Sequence, residues 1–211
     1  KQNMRAFISV VILMLMVCVP SVAQQFSAGV LAGVSATQIS GDQLSGFNKA
    51  GIVAGGFVST TLSPKFDLAL GITYFQKGSK KNTDPDKEDY TYYRLRLNYF
   101  DMPLLLQWKY NKKLIFEAGP SVAVLLSEEE EDEFGVLSNR RPFEKTEFAA
   151  NLGMNVTVVK QLSFLLRMGT SMLPVRKHQS GESYRFNKGQ FNSTLLFGLQ
   201  YKFGNREKPV E

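Results

Sequence analysis

The sequence predicts an all-β protein: an eight-stranded antiparallel up-and-down transmembrane β-barrel preceded by a cleavable signal peptide. Three observations predict it. Short segments alternate apolar and polar residues with a period of two, the connections between them alternate long and short, and one continuous apolar stretch lies near the N-terminal end.

That stretch has the layout of a secretory leader. Lys1 and Arg5 give a positive start, Ala6 to Val19 an apolar core, and Ser21-Val22-Ala23 small residues suited to cleavage before Gln24. The core is shorter than the roughly 20 residues that a membrane-spanning helix needs. Residues 1–23 are therefore expected to be a signal peptide and 24–211 the barrel domain. The single cysteine, Cys18, lies inside the leader behind Val17, where a lipoprotein signal would need a small residue. A chain starting at Gln24 would have no thiol for a disulfide, a nucleophile or a metal.

From there the alternation gives strands near 26–36, 49–62, 65–78, 91–110, 113–126, 146–159, 161–173 and 188–203. The third is the clearest: Phe66, Leu68, Leu70, Ile72 and Tyr74 share one face, and Asp67, Ala69, Gly71, Thr73, Phe75 and Lys77 the other. In the second, Gly and Ala residues blur the phase. In the fourth, Tyr93, Leu95, Leu97 and Tyr99 share a face, after which the apolar set moves to Phe100, Met102, Leu104, Leu106 and Trp108. That change of phase predicts a β-bulge near Tyr99–Phe100, and Pro103, which donates no ladder bond, favours irregularity just after it. The last strand sets Phe191, Ser193, Leu195, Phe197, Leu199, Tyr201 and Phe203 against Asn192, Thr194, Leu196, Gly198, Gln200 and Lys202.

The connections at 63–64, 111–112 and about 160 are short, whereas 37–48, 79–90, 127–145 and 174–187 are long and polar. Short turns at one end and long loops at the other are the habit of outer-membrane barrels. With both termini on the short-turn, periplasmic side, that rim receives Phe26, Phe66, Trp108, Tyr110, Phe116, Phe164, Tyr201 and Phe203. The opposite rim receives Tyr74, Tyr92, Tyr93, Phe148 and Phe191. Two aromatic girdles are expected where amphipathic rings meet lipid headgroups.

The faces opposite the apolar ones carry Asp67, Arg94, Arg96, Asp101, Lys109, Glu117, Glu147 and Arg167, with Asn98, Gln107, Asn151 and Asn155. Four acids and four bases in so narrow a lumen are expected to neutralise each other and plug it rather than line a channel. Gly71, Gly119, Gly153, Gly169 and Gly198 would make room for the long side chains. The acidic run from Glu128 to Glu133 reads as a solvated loop tip, since it lacks the spaced ligands and glycine of a calcium loop. The one histidine, His178, is in a loop with Ser180 and Ser183 nearby, and nothing in the spacing makes it a catalytic base. Gly29, Gly33 and Gly55-Gly56 lack the strand-then-helix context of a phosphate-binding loop. No catalytic, cofactor-binding or metal-ligating residues are assigned, and no cofactor is expected.

Without Lys1 and Arg5, the 25 basic residues become 23 against 19 acids. So mild an excess, with no basic run interleaved with stacking aromatics, argues against a nucleic-acid partner.

Three motifs then stand in order: Tyr99-Phe100-Asp101-Met102-Pro103-Leu104-Leu105-Leu106, Glu117-Ala118-Gly119-Pro120-Ser121-Val122 and Gly198-Leu199-Gln200-Tyr201-Lys202-Phe203. Through them residues 24–204 resemble the PorT-like outer-membrane β-barrel proteins of Bacteroidetes. The resemblance implies an eight-stranded barrel resident in the outer membrane, with no active-site residues to carry over. Residues 204–211 extend past the terminal Phe203, unlike barrels that end on that residue.

The expectation is thus a non-enzymatic, monomeric outer-membrane barrel with a filled lumen. Its partners would be outer-membrane lipid and, through the long loops, envelope proteins. The alternatives are an accessory component of an envelope protein-secretion complex, an outer-membrane lipid-modifying enzyme or protease, and a soluble lipocalin-like carrier.

Overall fold

The structure, a computed structural model, describes residues 26–203 except 43, 45, 84, 85, 87, 138, 139 and 178–188. The expected leader, Cys18, His178, Ser180 and Ser183 lie outside the described residues.

Among the described residues nine strands are formed: β1 (Phe26–Ser40), β2 (Lys49–Ser63), β3 (Phe66–Lys81), β4 (Tyr93–Lys109), β5 (Leu114–Asp132), β6 (Gly135–Val136), β7 (Thr146–Val159), β8 (Leu162–Ser171) and β9 (Phe191–Lys202). Each long strand pairs antiparallel with its neighbour, and β1 pairs with β9 to close the ring. The two-residue β6 only folds back on the end of β5 as a hairpin, so the barrel has eight staves. Closure leaves no free edge in the barrel wall.

The stagger can be followed residue by residue. From Thr60 on β2 the ladder passes through Leu68, Leu106, Ala118, Leu152, Met168, Leu195 and Ala36. It returns to β2 at Ala50, ten residues from where it started. Such a shear makes the strands tilt, and an eight-strand ring leaves a lumen that side chains can fill.

All eight expected strands form, including the ambiguous second one, where Lys49, Gly51 and Val53 point inward and Ala50, Ile52 and Ala54 outward. On the long-loop side the strands run further than the alternation suggested. β3 reaches Lys81 and β5 reaches Asp132, so the sheet rises beyond its apolar belt. The belt itself is broad: Val30, Val34, Ile52, Val58, Leu70, Ile72, Leu104, Leu106, Leu152, Met168 and Leu199 all face outward and are exposed.

β4 corrects the expected bulge. Its alternation runs unbroken from Tyr93 to Lys109, with odd-numbered side chains inward throughout. The register does shift at Asn98/Tyr99, where the partner changes from Ser127 to Leu125. The extra residue is therefore Leu126 on β5, not a residue of β4. Pro103 leaves gaps in the ladders on both sides without shifting either register. Its ring points into the lumen toward Gly71, where a Cβ would lie 3.1 Å from Pro103 Cγ.

Candidate functional site

The site with chemical content is the lumen and its extension at the loop end. At the short-turn end, Lys109 Nζ lies 2.6 Å from Asp67 Oδ1. Deeper in, Glu117, 1% exposed, is a hub for four strands. Arg167 grips Glu117 Oε1 with Nε at 2.7 Å and Nη2 at 2.6 Å. Gln107 Nε2 and Asn155 Nδ2 donate to Oε2 at 3.1 and 2.7 Å. A carboxylate with a bidentate guanidinium and two amide donors is fully paired, as a buried charge must be. Gly153 leaves space for it: a Cβ there would meet Glu117 Oε1 at 3.1 Å and the Leu166 carbonyl oxygen at 2.8 Å.

Glu147, 2% exposed, is a second hub. It accepts from Lys77 Nζ at 3.0 Å, Ser171 Oγ at 2.7 Å and Asn192 Nδ2 at 2.9 Å. Lys77 Nζ also lies 5.0 Å from the centre of the Tyr99 ring. Leu31, Val53, Phe75, Leu165 and Leu196 pack together elsewhere in the lumen. A cavity among Leu31, Thr73, Pro103, Leu105, Gln107 and Arg167 measures about 20 Å³, which is room for about one water.

Toward the loop end the interior becomes apolar. Ile39, Leu95, Leu97, Tyr99, Ala123, Phe143 and Val175 form a plug, with Phe143 and Val175 supplied by the long connections. A third acid latches it. Glu130 Oε2 accepts from Arg176 Nη1 at 2.7 Å and Oε1 from the Tyr93 hydroxyl at 2.7 Å. The Arg176 guanidinium lies over the Phe143 ring, 4.1 Å from its centre. Burial would raise the Glu130 carboxyl, but hydrogen bonds from Arg176 and Tyr93 and the nearby arginine charges prevail and lower it. Burial and the facing Glu130 push the Tyr93 phenol up.

Three expectations are corrected here. Arg94, Arg96 and Asn98 do not enter the lumen, because the unbroken alternation of β4 turns them outward. Outside, Arg94 pairs with Glu131, Arg96 with Glu129, each at 3.0 Å, and Asn98 Nδ2 donates to Ser127 Oγ at 2.8 Å. The acidic run is accordingly no solvated loop tip. Its residues Glu128 to Asp132 are the end of β5, zipped register for register against Tyr93–Leu97 of β4. Tyr93 points inward rather than to the upper girdle; Phe100 and Phe148 are among the exposed rings on that side.

The other expected lumen residues do meet inside, joined by Lys77, which the third strand's phase places on the same face as Asp67. Among the described residues the belt region of the lumen holds Asp67, Asp101, Glu117 and Glu147 against Lys77, Lys109 and Arg167. Asp101, 4% exposed, is the acid left over, and its Oδ1 has no hydrogen-bond partner. Glu130 and Arg176 carried no sequence signal as a pair. The alternation Arg-Leu-Arg-Leu in β4, matched to an acidic run, was the available sign of the outer zipper. Among the described residues there is no cluster of three or more metal-ligating side chains.

At the short-turn rim the expected girdle forms. The Trp108 ring packs against Tyr110 at 5.6 Å and Phe116 at 5.8 Å, and Tyr201 against Phe203 at 5.8 Å.

A comparison with curated protein sequences finds no match. Among solved structures, Ail, the attachment invasion locus protein of Yersinia pestis, superposes with a TM-score of 0.51 at 10% identity, covering 85% of this chain and 99% of Ail. Neisserial surface protein A (NspA) superposes with a TM-score of 0.52 at 12% identity, covering 85% of this chain and 99% of NspA. At such identities the likeness is one of fold. The sequence itself matches the model of the outer membrane protein β-barrel domain over residues 22–208. A closed eight-stave ring, an apolar outer belt and that match over nearly the whole chain lead to one conclusion: the chain belongs to the outer membrane protein β-barrel domain family.

Proposed function

We propose that this outer-membrane barrel is non-enzymatic and closed to solutes, and that it acts as a structural component of the membrane or through its loop end. The observation that carries this reading is the stacked filling of the lumen. Two acid-centred hubs and an apolar plug occupy successive levels of the barrel. Each hub ties several strands together, so a path for solutes would require breaking paired, buried charges. The chemistry of the lumen is that of a fastening, with Lys77, Lys109 and Arg167 each spent on a carboxylate.

Planar-bilayer recording from the refolded protein tests it. The expected result is no stable conductance at neutral pH; reproducible single-channel steps would overturn the filled-lumen reading. We place export on the leader-like residues 1–23, and both ends of the mature barrel on the periplasmic side, where the short turns lie.

A second reading has its own support. The Tyr99–Leu106, Glu117–Val122 and Gly198–Phe203 motifs favour a place among the PorT-like barrels of Bacteroidetes. On that reading the protein is an accessory of an envelope secretion complex, with the β5–β6 hairpin and the long loops as contact surface. Co-purification of other envelope proteins after crosslinking from Phe134, 91% exposed on that hairpin, would favour it. A monomer without companions would count against it.

A further inference from the structure

The two ends of the barrel differ in charge. Each short turn carries exposed lysine: Lys65 between β2 and β3, Lys112 and Lys113 between β4 and β5, and Lys160 between β7 and β8. Among the described residues none of these four ammonium groups makes an ion pair, and that rim holds one acid, Asp67, already taken by Lys109. The long-loop end instead mixes signs and pairs them, as in Lys81–Asp89, Arg94–Glu131 and Arg96–Glu129.

The lysines sit against the aromatic girdle. Lys65 adjoins Phe66, whose ladder partner is Trp108. Lys112 and Lys113 lie between Tyr110 and Phe116, which contact each other at 6.3 Å. Lys160 precedes Gln161, whose Oε1 accepts from the Tyr201 hydroxyl at 2.9 Å. Rings at this level mark the depth of lipid headgroups, and a lysine beside them can extend its ammonium to a phosphate.

We propose that the short-turn rim is a binding surface for anionic phospholipid headgroups, held by Lys65, Lys112, Lys113 and Lys160 beneath the aromatic girdle. Unpaired cations at headgroup depth attract anionic lipid, and several spaced around a rim select it over zwitterionic lipid. An acidic protein would also meet positive charge here, but the girdle fixes these cations at the membrane plane, where lipid is the permanent neighbour.

Trp108, the only tryptophan of the chain, stands on this rim and reports the lipid beside it. The barrel would be refolded into phosphatidylcholine vesicles containing phosphatidylglycerol, with brominated acyl chains on one lipid species at a time. At equal mole fraction, brominated phosphatidylglycerol should quench Trp108 about twofold more than brominated phosphatidylcholine. The excess should vanish in the K65Q/K112Q/K113Q/K160Q variant and fall in high salt. It should persist in K80Q/K145Q/K177Q, which removes lysines from the other end. Both leaflets have the same composition, so the direction of insertion does not matter. A gel shift on heating confirms that each variant is folded. Equal quenching by the two lipids, or an excess that survives the four-lysine variant, would overturn the proposal. Equal quenching with retention of poly-glutamate by the rim would overturn it in favour of an acidic protein partner.

Discussion

β4 passes through two surroundings without changing its conformation. From Phe100 to Trp108 its outward side chains are apolar and its inward ones include Asp101 and Gln107; from Tyr93 to Tyr99 the inward set is Tyr93, Leu95, Leu97 and Tyr99, and the outward set Arg94, Arg96 and Asn98. The lower stretch is built for hydrocarbon outside, the upper for water outside and a dry centre. An inversion of polarity along a strand therefore marks a change of solvent and need not mark a bulge. The two stretches also differ in how their charges are held: below, Glu117 and Arg167 are buried, whereas above, Arg96 and Glu129 keep about a third and a half of their side-chain surface exposed.

That contrast sets the largest expected effect. Glu117→Ala would leave Arg167 buried without its carboxylate, which costs about 3–5 kcal/mol. Reversible urea unfolding from vesicles should show a drop of that size. Removing the exposed Glu129, the partner of Arg96 in the upper zipper, should cost less than about 1 kcal/mol. Equal losses would mean that the two regions are not fastened differently.

Exchanging side-chain character across the boundary sharpens the same comparison. Leu104→Arg puts a cation on the belt, and the expected loss is about 2–4 kcal/mol if the position lies near the bilayer midplane. Arg96→Leu, an opposite exchange eight residues earlier on the same outward face, should change stability by under about 1 kcal/mol. A large loss at Arg96 with tolerance at Leu104 would place the hydrocarbon at the wrong end of the strand.

The latch at the loop end gives a pH dependence. The Glu130 carboxyl lies below its ordinary value of 4.5 in the folded barrel. A lowered carboxyl stabilises the fold above the ordinary value and loses that contribution as pH falls through the lower, folded one. Val175, 1% exposed behind the latch, can be made a reporter by Val175→Cys in a chain freed of Cys18. Its labelling by a thiol reagent should be slow at neutral pH and faster only once the pH has fallen below the ordinary carboxyl value of 4.5. The Glu130→Gln variant should label more readily at neutral pH and lose that acid-induced increase. An unchanged profile in the variant would assign the opening to another group.

Much of the barrel could be read from the alternation because one face of each stave meets lipid. Phe66 to Tyr74 on β3 and Phe191 to Tyr201 on β9 show the period plainly, and the short turns after Ser63 and Lys109 close the hairpins. Legibility failed where lipid stops. Above the belt, inside and outside exchange polarity, so an assignment by apolar face sent Arg94 and Arg96 into the lumen. The Glu128–Glu133 run reads as a loop when taken alone, because the arginines that face it stand more than thirty residues earlier. Lys77 could have been placed inward from its phase alone. The pairing of Glu130 with Arg176 needs the three-dimensional return of a long connection and leaves no trace in local pattern.

The smallest effect is expected at Asp101, and it bears on the lumen's balance. Among the described residues, Glu117, Glu147 and Asp67 each have a cation within ion-pair distance. Asp101 is as buried as they are and has none, with its Oδ1 unpartnered. Its neighbours on the ladder, Thr73 and Ala123, bring no charge. Replacing it with Asn keeps the shape and removes a charge that makes no ion pair, Lys77 and Arg167 acting on it only from their places beside Glu147 and Glu117. Such an exchange relieves a desolvation cost rather than breaking a pair, so Asp101→Asn should leave stability within about 0.5 kcal/mol of the parent or raise it. Set beside the loss at Glu117, this separates a carboxylate that fastens the staves from one that merely occupies the lumen. A loss at Asp101 as large as that at Glu117 would show that a cation reaches it after all, and that the lumen has a further fastening point.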